Sequence, residues 1–221
     1  MNILITGSSN GIGKAIALKF LNEGHQVIGI DRLPAPIDLI KNNNYYHTLL
    51  DVRDKDNYPN FTVNFDIVIS NAGTQNEDDI NINLKGSIDI IEKYAIQPNI
   101  KSVIIIGSAS AHTGDEFPEY VASKSGLLAY TKNVAKRVAK YGATCNSLDF
   151  GGVKTALNNC ILEDSNLWDQ VMSVTPLKRW AEVEETAEWA YFLSVYNKAC
   201  TGQNLLVDNG ESLINNFVWK E

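Results

Sequence analysis

Short runs of apolar residues alternate along this chain with segments in which apolar positions recur at helical spacing. Residues 2–6, 26–30, 65–70 and 102–106 are such runs, and each predicts a strand. Because the centres of these runs are continuously apolar instead of alternating with polar residues, both faces of the predicted sheet should be buried. A parallel sheet covered by helices on two sides meets this requirement.

Helical segments separate the predicted strands. The predicted helices cover residues 13–23, 120–141 and 183–194, and further strands cover 146–149 and 205–207. Gly24 follows the first helix and suits its C-terminal end. Polar stretches at 34–44 and 53–60 replace segments that could have been helices, so we expect this edge of the sheet to have less helical cover. We therefore predict an α/β fold, a doubly wound parallel sheet of the Rossmann type, in a single domain over residues 1–221.

Composition and charge limit the classes of protein to which this chain could belong. Hydrophobic residues make up 44% and charged residues 20%, which is an ordinary globular composition. The net charge of -7 argues against a nucleic-acid partner, because phosphate binding needs a clustered basic face. No apolar run approaches the roughly 18 residues of a membrane span, and the first residues lack the pattern of a signal peptide. The widely spaced Cys145, Cys160 and Cys200 indicate reduced thiols in a cytoplasmic protein.

A glycine-rich turn joins the first predicted strand to the first predicted helix, with the sequence TGSSNGIG at residues 6–13. Glycine at such a turn lets the backbone approach a pyrophosphate, and the start of the helix offers that anion free N–H groups and a positive dipole end. The sequence therefore predicts dinucleotide binding at this turn. The predicted contacts are Gly7, Ser9, Asn10, Gly11, Ile12 and Gly13.

Asp31 follows the second predicted strand, where a carboxylate can accept hydrogen bonds from the ribose hydroxyls of adenosine. This carboxylate would repel a 2′-phosphate, so it favours NAD over NADP as the cofactor. Arg32 follows directly and could pair with a 2′-phosphate if Asp31 turned away. The alternative for Arg32 is a solvated loop residue.

Tyr120 and Lys124 lie four residues apart near the start of a predicted helix and therefore share one face. This spacing often arises by chance and is weak evidence alone. It gains weight from its position shortly after a strand that runs into Gly107-Ser108-Ala109-Ser110.

Taken in order, these motifs resemble those of the short-chain dehydrogenase/reductases, most closely the subgroup that includes the 3-oxoacyl-carrier-protein reductases. The likeness covers nearly the whole chain and includes an Asn-Ala-Gly motif at 71–73 and a TGQ…VDNG segment at 201–210. The resemblance implies cofactor contacts at Asp51, Val52, Asn71, Ala72, Gly73, Gly151, Val153 and Thr155, besides those named above and Tyr120 and Lys124. It implies a catalytic set of Asn83, Ser108, Tyr120 and Lys124.

The resemblance also implies the chemistry: an NAD(P)(H)-dependent oxidoreductase that interconverts a secondary alcohol and a carbonyl of a small molecule. A free tyrosine has a pKa of about 10, and positive charge from Lys124 and oxidised nicotinamide would stabilise a Tyr120 phenolate as the base. Ser108 would hydrogen-bond the substrate oxygen, Lys124 would also hold the nicotinamide ribose, and Asn83 would position a water. Ser110 is the alternative to Ser108, or else a hydroxyl that caps local backbone.

Three features depart from the family pattern. Phe150 stands where proline is usual, which could reshape the floor of the pocket or have no consequence. Only 12 positions separate Asn71 from Asn83, and this short connection implies a smaller or more open site. Apolar residues in a segment around 155–178 imply a small substrate lid, with packing on the body or a subunit contact as the alternative.

Two other functions remain as alternatives: a non-enzymatic NAD-binding sensor or scaffold on the same fold, and a structural role with vestigial activity. The presence of both Tyr120 and Lys124 favours the enzyme. The resemblance implies a homodimer or homotetramer, with residues 120–141 and 215–219 as candidate contacts. His47 and His112 lack ligand partners at suitable spacing, so we interpret both as ordinary polar residues and expect no metal site.

Overall fold

A computed structural model describes residues 1–213 and contains one seven-stranded sheet. The strands are β1 (Asn2–Thr6), β2 (Gln26–Asp31), β3 (Tyr45–Leu49), β4 (Ile67–Ser70), β5 (Ser102–Ile106), β6 (Thr144–Phe150) and β7 (Asn204–Val207). All neighbours pair in parallel, in the order β3-β2-β1-β4-β5-β6-β7. The predicted doubly wound α/β fold is confirmed. Its strand order reverses between β1 and β4, where such sheets open a crevice for ligands.

Helices cover both faces of this sheet. They are α1 (Gly11–Asn22), α2 (Ile37–Ile40), α3 (Ser87–Tyr94), α4 (Ser110–Thr113), α5 (Pro118–Val138), α6 (Asn159–Leu162), α7 (Ser165–Val174) and α8 (Val183–Tyr191). Short 3₁₀ turns lie at Lys55–Asn57, Ala139–Tyr141, Ala156–Asn158 and Glu211–Leu213, and π-helical segments at Ile80–Gly86 and Phe192–Tyr196. Within the described residues, no helix combines the length and apolar character that crossing a bilayer requires.

The core consists of two hydrophobic clusters, one on each face of the sheet. Alternate residues of β1 belong to different clusters: Ile3 and Ile5 pack on the face covered by α1 and α8, and Leu4 packs on the face covered by α3 and α5. All three side chains are fully buried. Burial on both faces therefore accounts for strands whose centres are continuously apolar.

The strand β3 was not expected from the sequence. Tyr45 is buried, but Tyr46 and Leu49 are largely exposed, because β3 lies at the edge of the sheet and pairs only with β2. A half-exposed edge strand lacks the continuous apolar run that marked the others. The long helix also begins earlier than predicted, at Pro118, a residue that suits the first helical turn.

Candidate active site

The glycine-rich turn lies where β1 passes into α1, beside the crevice. Gly7 has a φ of 69°, a conformation that favours glycine. Gly13 sits so close to the turn that a Cβ would press on the Gly7 carbonyl group and the Asn71 amide. Asn10 precedes α1 without a side-chain cap, so the first-turn N–H groups lack intrahelical partners. This cradle, with its unpaired donors, fits a pyrophosphate.

Asn71 fastens the end of β4 to this turn. Its backbone N–H donates to Thr6 Oγ1 at 3.0 Å, and its side-chain Nδ2 donates to the carbonyls of Thr6 (2.9 Å) and Gly7 (3.1 Å). The Ala72 N–H also donates to Thr6 Oγ1. These bonds hold Asn71 and Ala72 against the glycine-rich turn, and the cofactor contacts predicted for residues 71–73 stay a prediction.

Asp31 faces the same turn from the end of β2. One carboxylate oxygen accepts from the Ser9 N–H at 2.9 Å, and the other accepts from the Leu33 N–H at 2.9 Å. Each oxygen keeps a further lone pair that can accept a ribose hydroxyl. The Arg32 side chain is 54% exposed and lies 3.9 Å from Glu77, so it is a solvated loop residue in this structure.

Asp51 and Val52 are the residues predicted to contact adenine. The Asp51 carboxylate accepts from the Arg53 guanidinium at 2.7 and 3.0 Å, and this contact holds the pKa of Asp51 below its usual range. Val52 is buried against Gly86. Asp51 Oδ2 accepts one bond from Arg53, so the carboxylate keeps a lone pair that can accept from a further donor.

Tyr120 and Lys124 meet on one face of α5, below the ends of β4 and β5. The Lys124 ammonium lies 5.7 Å from the centre of the Tyr120 ring and donates to the Ile106 carbonyl at 3.0 Å. Burial lowers the pKa of Lys124 to about 8, against the opposing charge of Asp149. Burial raises the pKa of Tyr120 to about 12, against the nearby Ser108 hydroxyl. In the protein alone, Tyr120 is therefore a phenol at neutral pH, not the stabilised phenolate that a bound nicotinamide cation would favour.

Ser108 and Ser110 are both buried beside this pair. The Ser108 hydroxyl donates to Ser110 Oγ at 3.0 Å and accepts from the Ser110 N–H at 3.2 Å. Ser108 is also the hydroxyl that acts on the pKa of Tyr120. The geometry thus brings Ser108 next to Tyr120, with Ser110 hydrogen-bonded to Ser108.

Asn83 is fully buried in the π-helical segment Ile80–Gly86. Its side chain bonds both backbone groups of Thr74, accepting from the N–H at 2.8 Å and donating to the carbonyl at 3.0 Å, and also donates to Ser123 Oγ at 3.1 Å. Its own carbonyl accepts from Ser87 Oγ. Asn83 therefore joins the loop after Gly73 to α5, while its expected role in positioning a water stays a prediction.

The chain after β6 returns to the cofactor turn. Gly151 continues the sheet through an N–H bond to the Val207 carbonyl, and the buried Val153 pairs with Ala181 in an isolated bridge. Thr155 reaches the turn itself, since a Cβ added to Gly11 would lie 3.5 Å from the Thr155 methyl group. The predicted residues of this segment therefore lie along one path that ends at the phosphate cradle.

Phe150 lies on the face of the sheet opposite to Tyr120 and Lys124. It is buried in the hydrophobic cluster packed against α1 and α8, whereas Tyr120 and Lys124 belong to α5 on the opposite face of the sheet. An aromatic side chain at this position therefore fills the core instead of the floor of the pocket.

The segment around 155–178 forms α6 and α7, and neither helix has a buried residue. Leu157 is 61% exposed, and Trp168 packs edge-on against Trp180 with ring centres 5.3 Å apart. This loose attachment suits a lid, and the lid itself stays a prediction. The other candidate subunit contact, residues 215–219, lies outside the described residues.

Both histidines set aside in the sequence have specific partners. His47 bonds the Tyr45 hydroxyl and the Leu33 carbonyl, each at 2.9 Å, and Tyr45 in turn bonds Ser8 of the cofactor turn. His112 lies 2.7 Å from a fully buried carboxylate, Asp149. Within residues 1–213, no cluster of three or more His, Cys, Asp or Glu side chains could hold a metal ion.

Comparison with known proteins places this geometry among oxidoreductases. A family model described as enoyl-(acyl carrier protein) reductase matches residues 7–212. The chain is 32% identical over 238 residues to 3-oxoacyl-[acyl-carrier-protein] reductase FabG of Buchnera aphidicola, a match that covers 95% of this chain and 96% of that protein.

Solved structures agree with this placement. A short chain dehydrogenase family protein from Francisella tularensis superposes with a TM-score of 0.82 at 27% identity, over 96% of this chain and 99% of that one. A putative 2-deoxy-D-gluconate 3-dehydrogenase from Agrobacterium tumefaciens, solved with bound NADP, superposes with a TM-score of 0.86 at 26% identity, over 96% of each chain.

Proposed function

Because the chain belongs to the short-chain dehydrogenase/reductase family of oxidoreductases, we propose that it interconverts a carbonyl and a secondary alcohol of a small molecule, with Tyr120 as general acid/base. The observation that carries this proposal is the convergence of Tyr120, Lys124 and Ser108 at the ends of β4 and β5, next to the phosphate cradle.

The residues of the crevice suit a nicotinamide dinucleotide, which supplies the hydride acceptor or donor when bound. The N–H groups of the turn at residues 7–13 would hold its pyrophosphate, and Asp31 its adenosine ribose. Lys124 would bind the nicotinamide ribose.

In the direction of carbonyl reduction, Ser108 donates a hydrogen bond to the substrate oxygen and Tyr120 transfers its phenolic proton to that oxygen. Lys124 stabilises the resulting phenolate by its positive charge. Because the pKa of Tyr120 in the protein alone is about 12, the phenol that this step needs is the form present at neutral pH.

For the choice of cofactor, the proposal of NAD over NADP rests on Asp31, whose carboxylate would face a 2′-phosphate. The Agrobacterium relative binds NADP, so the relatives do not support this preference. Initial rates with NADH and NADPH at matched concentrations test it, and a clear preference for NADPH would overturn it.

The proposed reaction is tested by a panel of small oxo compounds and alcohols, with reduced and oxidised cofactor followed by absorbance. Tyr120→Phe should abolish turnover, and Tyr141→Phe, which removes a hydroxyl just past the end of the same helix, should not. Saturable binding of NADH without turnover of any panel member would instead support a non-enzymatic sensor.

The proposed assembly is a homodimer or homotetramer, which the resemblance implies. Light scattering combined with size-exclusion chromatography tests it, because a monomer of 24.4 kDa is well separated from either oligomer. A single monomeric peak at assay concentrations would contradict it.

A further inference from the structure

A hydrogen-bonded pair, a histidine and a buried aspartate, lies behind the proposed catalytic residues and has no part in the reaction as described above. Asp149, on β6, has a fully buried side chain, and its Oδ2 accepts a hydrogen bond from His112 Nε2 at 2.7 Å. His112 belongs to α4 and is 29% exposed, so it connects the carboxylate to solvent. The other carboxylate oxygen, Oδ1, has no hydrogen-bond partner among residues 1–213.

An unbonded, buried carboxylate oxygen is costly unless a charge or dipole compensates it. Oδ1 of Asp149 lies against Gly107, where a Cβ would come within 2.9 Å of the carboxylate carbon. The Lys124 ammonium donates to the carbonyl of Ile106, the residue directly before Gly107. The buried anion and the buried cation therefore converge on the same end of β5.

We propose that Asp149, held in place by His112, is a positioning residue for Lys124: its carboxylate is the counter-charge that keeps the Lys124 ammonium protonated inside the closed site. The proposal rests on the function proposed above only in that Lys124 is taken to bind the cofactor. Without a counter-charge, a lysine this deeply buried would lose its proton more readily.

The charges that face the two groups agree with this role. The negative charges of Asp149, Asp79 and Glu116 all raise the pKa of Lys124 against burial, and Asp149 has the largest of these effects. Asp149 is faced by His112 from α4 and by Lys124 from α5. Burial raises the pKa of Asp149, and the bond from His112 is the largest influence that opposes this rise. Loss of His112 should thus neutralise Asp149 and act on Lys124 in the same direction as loss of Asp149.

The experiment measures the dissociation constant of NADH by fluorescence between pH 6 and pH 10. In the wild type, affinity should fall as pH rises through about 8, where Lys124 loses its proton. We call the pH at which the affinity for NADH falls the break. Asp149→Asn keeps the shape of the side chain and should lower the pH of this break by about one unit. His112→Asn should move it the same way, and it serves as the second variant if Asp149→Asn fails to fold.

Two control variants remove a buried carboxylate and a histidine that are not part of the Asp149 and His112 pair. Asp208→Asn, at the end of β7, and His25→Asn, which lies near Tyr191, should leave the break where it is. A break that moves in both test variants and in neither control supports the proposal. A break that stays at the wild-type pH in either folded test variant overturns it.

The outcome is separable from that of the proposed function. If the break moves but Tyr120→Phe retains turnover, the role of Asp149 stands and the proposed chemistry falls. If the break stays and Tyr120→Phe abolishes turnover, the chemistry stands and the role of Asp149 falls. If the wild type binds NADPH and not NADH, the same titrations are made with NADPH; if it binds neither, both proposals are overturned.

Discussion

Adding one methyl group at Gly13 should weaken both cofactor binding and the stability of the fold, and the two effects can be measured separately. A Cβ there would lie 2.8 Å from the Gly7 carbonyl carbon and closer still to its oxygen, with the Asn71 amide on the other side. Carbon atoms in contact prefer about 3.5 to 4.0 Å, so α1 and the turn must move apart by roughly 0.7 Å or more. Such overpacking costs about 1–3 kcal/mol.

The displacement of Gly13→Ala falls on the phosphate cradle, so we expect the affinity for NADH to drop by at least about tenfold, equivalent to ~1.4 kcal/mol. Fluorescence titration with NADH and thermal unfolding measure the two effects. Gly24→Ala is the control: at Gly24 a Cβ meets nothing within 4 Å, but φ is 78°, so the substitution should cost about 1–2 kcal/mol of stability without affecting affinity. Unchanged NADH affinity in Gly13→Ala would refute this account of the cradle.

Three further predictions follow from the same geometry. Asn83→Ala should lower the free energy of unfolding by about 3 kcal/mol, because it leaves both backbone groups of Thr74 without partners. Urea denaturation measures this loss, and a loss below about 1 kcal/mol would contradict the prediction. Ser108→Ala should reduce kcat by about 100-fold and Ser110→Ala by much less; the reverse order in steady-state assays would exchange their roles. Asp31→Ser should raise the NADPH to NADH preference in kcat/KM by about tenfold, and no change would remove Asp31 from cofactor selection.

Most of the fold could be predicted from the sequence, because a strand buried on two faces leaves a direct mark on it. The centres of β1 and β5 are continuously apolar, and the structure begins and ends both strands where the predicted runs do. The edge strand β3 could not be found in this way, because Tyr46 and Leu49 face solvent and break the run. Pairing with β2, which defines β3, is a contact between distant parts of the chain and leaves no local pattern.

The residues of the candidate site likewise fall into those that the sequence could locate and those that it could not. Residues that act through the backbone or through their spacing, such as Gly13 and the Tyr120 and Lys124 pair, could be located from motifs. The partners of Asn83 and the bond between His112 and Asp149 could not, since residues 9 and 37 positions apart are brought together only by folding. The protonation of Tyr120 was likewise out of reach, because burial, which raises its pKa, is a property of the folded chain.

The central claim is that Tyr120 transfers the proton. Its most direct test is the rate of NADH oxidation in a single turnover, measured with a carbonyl substrate from the panel for the wild type and Tyr120→Phe at saturating NADH. We predict an unchanged NADH dissociation constant and a rate lower by about 10²–10⁴-fold in Tyr120→Phe, the usual contribution of general acid catalysis. A rate within a few-fold of the wild type would contradict the claim.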